Sequence, residues 1–486
     1  MDKFEADGVF WEAGNQERAV PGRIRFDPAD GVSLELFGGL TPVEETFTAA
    51  TPRVMLIHGF AGRKKLTLLG CQSEGLSASM PGIAMETFRA SFLFSGEHFE
   101  TPESITFDEF SVCFDQLAPW VRRGEFQINI ETFEPNNFAN VSKVGAALTI
   151  APKESVTIGS MELELGSTFS SSGDRLTRAS IEQQPYLKLK YAEPRTLDEI
   201  LVDLKGIQDF ITLAVDAPAV PIEINLWRED LVREVAEAQS VRVRVDLSMA
   251  QLAERVRLPG HKPEHEILLP FDRIGGLESI GRWIEVSRTH RMVLGALLTV
   301  HYATQIYEEN RYYNVISAAE TLHRIGFPNY VRPSEAYAEY RDAIVRAVEG
   351  GLGSDTAEWL GSQIMYSNEP RLRDRLLALA ANVGDVFPLL VGNVNHWGSV
   401  AVNVRNRLTH HDEDQKLDLR PGDLYFISQS IYVLVMLSLL RACGVEANAF
   451  SNIIDVPNIG FLRDNLREII PRVKKSFYRH RATAKP

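Results

Sequence analysis

The chain has 486 residues, with 65 acidic and 51 basic side chains and a formal net charge of −14. Its length suggests roughly two to four domains, and a content of 44% hydrophobic and 9% aromatic residues excludes global disorder. The acidic balance argues against sequence-blind coating of nucleic acid, which needs many Lys/Arg–phosphate contacts, yet it leaves room for one local basic site.

The N-terminus, MDKFEADG, lacks an apolar stretch, so no secretory signal is expected. The longest apolar runs, at 292–300 and 431–440, fall short of the ~18–20 residues that span a bilayer, and no membrane association is expected. Cys71, Cys113 and Cys443 are widely spaced with no CxxC pair. That pattern predicts neither a disulfide framework nor a zinc finger, and it fits a reducing cytoplasm.

From Gly8 to about Pro221 the sequence runs in short alternating segments broken by Gly, Pro and Asn, such as GRIRF (22–26), VSLELF (32–37) and GEFQINIE (124–131). Period-two alternation with frequent turn residues predicts half-buried antiparallel strands in a sandwich-like arrangement. One helix interrupts them at 196–214, opened by a Thr cap and carrying Ile200, Leu204, Ile207 and Phe210 on one face. Strand-like stretches return at 220–226 and 241–247. The polar loop RLPGHKPEH (257–265) marks the expected boundary between domains 1–267 and 268–486. Beyond it the pattern turns helical, over 277–309, 312–325, 334–349, 356–366, 369–381 and 394–409. Residues 428–443 are apolar nearly all round, which predicts a helix inside a bundle. Residues 451–486 hold eight Lys/Arg against three Asp/Glu and read as a solvated, partly frayed tail, or else as a surface for an anionic ligand. The expected fold class is therefore α+β and multidomain, a β-rich region followed by an all-α bundle.

The candidate site is Arg405-Asn406-Arg407-Leu408-Thr409-His410-His411. R-x4-H spacing alone is weak, since about one match is expected by chance and two occur. The other, Arg53 with His58, lies in a strand-like run that would hold the side chains ~16 Å apart on opposite faces. Arg405 and His410 lie in a helical context with Val400, Val404 and Leu408 as the buried stripe, ~7.5 Å apart along the axis. An ideal helix leaves them ~140° apart, so their convergence predicts that the helix loosens at Thr409–His410. Histidine can serve as base or acid near neutral pH, and arginine grips phosphate through paired N–H groups. This pair suits metal-free RNA cleavage by the ribose 2′-OH, with Asn406 holding the imidazole or the ribose. One imidazole cannot easily perform both proton transfers, so two chains meeting along this helix are expected.

RNRLTH, set between helical segments and ahead of an apolar helix, resembles the signature of HEPN-domain ribonucleases. FDQLAPWV (114–121) and LDEILVDLKGIQDFITLA (197–214) are similar to the N-terminal domain of the ApeA group, and FDRIGGLESIGRWIE (271–285) and YNVISAAETLHR (313–324) to that group's entry into its HEPN bundle. The resemblance implies an anti-phage ribonuclease of the abortive-infection type, with a C-terminal HEPN domain cutting RNA, structured RNA such as tRNA being the expected substrate. The N-terminal domain is expected to restrain the site until a phage-derived protein triggers it. Arg405, His410 and Asn406 would be catalytic, in a homodimer or higher even oligomer, with no metal or cofactor. Arg407 and His411, an i, i+4 pair, and Glu320, on a partly apolar helix face, would contact substrate. His261 and His265 have H-x3-H spacing, but Gly260 and Pro263 forbid a regular helix, so a metal site is not expected there. Two other readings stay open: a catalytically silent HEPN scaffold, and a β-sandwich carbohydrate-processing protein.

Overall fold

The computed structural model describes residues 2–40, 55–77, 84–133, 140–174, 176–236, 239–410 and 417–483. The chain divides into two compact units, Met1–Ile284 and Glu285–Pro486.

In the ring strands of the first unit, alternating sequence becomes alternating burial. Over Gly31–Leu36, Val32, Leu34 and Leu36 are buried while Ser33 and Glu35 are not, because successive strand side chains face opposite ways. The expected half-buried strand at 124–131 is instead exposed on both faces, because among the described residues it pairs only in a separate two-stranded sheet with Val141–Thr149. Thirteen antiparallel strands join edge to edge among the described residues. In sheet order they are Glu154–Ile158, Met161–Gly173, Ala179–Thr196, Thr106–Phe114, Pro221–Trp227, Val245–Met249, Phe92–Ser95, Lys64–Ser77, Met55–Ala61, Phe4–Glu12, Val20–Asp27, Gly31–Leu36 and Met85–Ala90. The sandwich-like expectation gives way to a ring. Lys64–Ser77 pairs with Met55–Ala61 and again with Met85–Ala90, closing six strands on themselves. A register shift between Ser73 and Gly75 lets this long strand bend toward its second partner, and Gly75 adopts φ 153°, a value that favours glycine. Phe10, Ile24, Leu34, Ile57, Leu68 and Phe88 fill the ring, all fully buried.

The helix Leu197–Val215 begins as expected, with a reciprocal capping box between Thr196 and Glu199. Its apolar face carries Phe210, which packs edge-on to Trp120 and against Trp283. The Trp283 indole donates to Gly206 O at 2.8 Å, and the Trp120 indole to Leu269 O at 2.9 Å. Residues 268–284 thus pack with the β-rich unit, and the compact units divide after them. The 257–265 loop is itself fastened: the Gln116 amide donates to Gly260 O and accepts from Lys262 N. His261 bonds Asp115 O at 2.9 Å, and no cluster of metal-ligating side chains occurs among the described residues.

The second unit is helical. The expected run over 277–309 is broken at His290, whose φ −104° and ψ 20° leave the helical region, and again after Tyr302. No Gly or Pro marks either break in the sequence. The helix Asp423–Ala442 is buried on every side over the run 430–440. It is long and apolar enough to cross a membrane, and 78% of its apolar window is buried inside the protein. Trp397 and Tyr432 are core residues: the Trp397 indole donates to Ser430 Oγ at 2.8 Å, and Tyr432 OH shares a 2.7 Å hydrogen bond with His301 Nε2.

The tail differs most from expectation. Pro457–Thr483 is a helix of 27 residues, in which Ile459, Leu462, Leu466, Ile469, Ile470 and Val473 are buried. Arg472 grips both oxygens of Asp423, at 2.8 and 2.9 Å, which ties it to the start of the apolar helix.

All three cysteines are buried and none forms a disulfide. Burial pushes the Cys71 and Cys113 thiols up to about 12, so neither ionises near neutral pH and neither is a nucleophile. Native protein should resist iodoacetamide at both positions up to about pH 10, while urea-unfolded protein should be alkylated; mass spectrometry of the two samples tests this.

Candidate ribonuclease site

The motif lies on the helix Val394–His410. Trp397, Val400, Ala401 and Val404 are fully buried and fix its inner face, while Arg405, Asn406 and Arg407 are half-buried. The helix continues through His410, so the loosening that convergence required is absent. Thr409 Oγ1 donates back to Arg405 O at 2.8 Å, a bond that follows the helical ladder and satisfies the hydroxyl without opening the turn. Positions 405 and 410 therefore stay ~140° apart around the axis. His411 lies outside the described residues.

The backbone of Arg405 is held from a neighbouring helix. Tyr312, on Glu308–Gly326, is fully buried, and its hydroxyl donates to Ala401 O. The Arg405 backbone N–H is directed at the Tyr312 hydroxyl oxygen. Burial pushes this phenol well above the ordinary tyrosine range, so it stays protonated. Tyr312 thus sits at the helical rung joining residues 401 and 405. The Arg405 guanidinium makes no ion pair or hydrogen bond with any other described residue, and neither does the Asn406 amide. An arginine left without a counter-ion is available for an anion. Arg407 is committed in part, donating to Leu417 O at 3.0 Å.

Glu320 belongs to a different cluster. It lies eight residues beyond Tyr312, ~12 Å along the axis, and accepts from Arg324 at 3.1 Å. Arg324 also reaches Glu369 at 3.1 Å, and Glu369 pairs with Arg375. Arg375 is 1% exposed. It donates to Pro370 O, Asn329 Oδ1 and His323 Nδ1 at 2.9–3.0 Å. Burial, then the Arg375 and Arg324 charges, hold His323 below the ordinary histidine range, so it stays neutral and accepts from Arg375. The unfolded chain would bind a proton at this histidine near pH 6.5, where the folded chain does not. That share of stability is complete above about pH 6.5 and is lost as pH falls below it. The thermal midpoint of the second unit should drop on acidification through this window, and His323→Gln should flatten the drop; an unchanged pH profile in the variant would contradict it.

Sequence reasoning missed Tyr312 and Arg375, because nothing in YY or LRDRLL distinguishes a buried polar side chain from a solvated one.

Two family descriptions match the chain: ApeA N-terminal domain 1 over residues 5–283, and Apea-like HEPN over residues 313–449. The second span contains Glu320 and the whole 405–411 motif. No curated protein matches the chain, and no solved structure does. With its N-terminal match covering more than half of its length and the helical match following in order, the chain belongs to the ApeA-like HEPN family and is a HEPN-domain anti-phage defence protein.

Proposed function

We propose that the protein is an endoribonuclease that needs no metal and acts when phage infection triggers it. The observation that carries this reading is the half-buried Arg405 guanidinium, which makes no ion pair or hydrogen bond among the described residues, on the same helix as His410. In the reaction the ribose 2′-oxygen attacks the adjacent phosphorus while a base takes the 2′ proton. The P–O5′ bond breaks as an acid protonates the departing 5′-oxygen, leaving a 2′,3′-cyclic phosphate. Imidazole suits both proton roles, and a guanidinium offsets the charge that builds on the phosphorane.

The divergence of positions 405 and 410 on one helix favours a composite site. Two subunits facing each other along this helix supply two imidazoles, one for each proton, and two guanidinium groups. Asn406 shares the register of His410 one turn earlier and orients the imidazole or the ribose, while Arg407 and His411 contact flanking phosphates. The substrate is structured RNA such as tRNA, and the setting is a reducing cytoplasm. The N-terminal unit restrains the site, and a phage-derived protein shifts the population toward the active arrangement. Incubating purified protein with total RNA in EDTA, with and without phage lysate, tests the reading. Cut ends carrying 2′,3′-cyclic phosphate are expected; intact RNA under both conditions would favour a silent HEPN scaffold.

A further inference from the structure

The C-terminal helix changes electrostatic character along its length. In its first part Arg463 pairs with Asp464, Glu468 with Arg420 of the preceding segment, and Arg472 with Asp418 and Asp423, while Arg467 donates to Leu389 O. Glu468 is the last acidic residue of the chain. Beyond Val473 come Lys474 and Lys475, and Lys475 is exposed with no carboxylate partner among the described residues.

This basic end is joined to the motif by a single peptide group. The carbonyl between Leu417 and Asp418 accepts from Arg407 Nη1 at 3.0 Å, and the N–H of the same peptide donates to Ser476 Oγ at 3.3 Å. Arg472 Nη1 donates to the next carbonyl, Asp418 O, at 2.7 Å. The far end of the motif helix and the last described turns of the C-terminal helix are thereby held on either side of one peptide plane, and Lys475 is the neighbour of Ser476. In a chain of net charge −14, Arg405, Arg407 and Lys475 all lack a carboxylate partner among the described residues, which concentrates unmatched positive charge at this end.

We propose that Lys475, together with Arg407, forms a phosphate-binding surface for the RNA strand flanking the cut. The proposal rests on the ribonuclease reading for the location of the cut. An extended polyanion fits because the cations come from two separate helices joined through a fixed backbone bridge, so that a strand running along this surface meets both.

A mixed-sequence 2′-O-methyl oligoribonucleotide is the probe, since it keeps the phosphates but lacks the nucleophile and is not cut. Its Kd for the full chain is measured by fluorescence anisotropy across a salt series. Lys475→Gln should raise Kd severalfold and shrink the slope of log K against log salt by about 0.7, the loss of one single-strand phosphate contact. Lys475→Arg should restore both. Unchanged Kd and slope in Lys475→Gln would overturn the proposal. So would Lys475-dependent binding of poly-L-glutamate with oligonucleotide binding unaffected, which would make the surface a site for an acidic protein. If oligonucleotide binding depends on Lys475 but unmodified RNA is never cut, the surface stands and the ribonuclease reading falls. RNA cleavage with no Lys475 dependence of binding has the opposite meaning.

Discussion

Replacing His410 with alanine should lower RNA cleavage by about 10²–10⁴-fold, the range that a positioned proton-transfer group supplies, while the protein stays folded and keeps its oligomeric state. The helix around it supports that separation of activity from stability. Its inner face is set by Trp397, Val400, Ala401 and Val404, and position 410 is the last residue of the helix, where substitution costs little. Arg405→Ala should reduce cleavage without unfolding, since its guanidinium holds no described partner together. Mixing His410→Ala chains into wild-type protein gives the stronger test of a composite site. Heterodimers hold one imidazole in place of two, so cleavage should fall more steeply than the fraction of wild-type chains. Full cleavage by His410→Ala alone would remove histidine from the chemistry, and activity in simple proportion to the wild-type chains would point to a site complete within one subunit.

Arg375→Met should be the most destabilising single change in the helical unit, by about 3–5 kcal/mol, the cost of stripping one partner from a buried ionic cluster. The guanidinium fills four roles at once. It neutralises Glu369 and satisfies His323 Nδ1, Asn329 Oδ1 and Pro370 O. Methionine matches the stem but leaves those groups without a donor. Glu320→Gln is the informative comparison, because Glu320 is about one-third exposed and pairs with Arg324; such pairs contribute about 0–1 kcal/mol. Urea titrations should therefore show a large midpoint shift for Arg375→Met and almost none for Glu320→Gln. A loss of RNA cleavage in Glu320→Gln at unchanged stability would give that carboxylate the substrate role its sequence position suggests. Equal midpoints for the two variants would mean that the cluster carries no stability.

Local signals in the sequence carried much of this architecture. Thr196 and Glu199 mark a helix start because a capping box is written in four consecutive residues. The helix bearing the motif is legible from Trp397, Val400 and Val404, whose spacing admits one buried face. The C-terminal helix is hidden because Pro471 interrupts its interior, where proline usually breaks a helix, and because its basic residues obscure the stripe from Ile459 to Val473. The closing of the strands into a ring depends on Lys64–Ser77 choosing a second partner, a long-range event that no alternating pattern encodes. Tyr312 illustrates the same limit within the site. Its hydroxyl has meaning only once a second helix brings Ala401 and Arg405 to it. Side chains whose role is set by neighbours far along the chain leave no periodic trace.

The ring also decides where this protein can be extended by strand exchange. The sheet curls shut at one end, and among the described residues the strand at the other end of its order, the outer margin, is Glu154–Ile158. That margin is five residues long, and it is obstructed in two ways. Lys153 and Glu154 bring charge to its beginning, each engaged in an ion pair. At its end the Ile158 side chain lies so close to the backbone of Gly281 that a methyl group there would collide with it. Strand addition between copies at this short lip, in concentrated or stressed cells, would meet both obstacles.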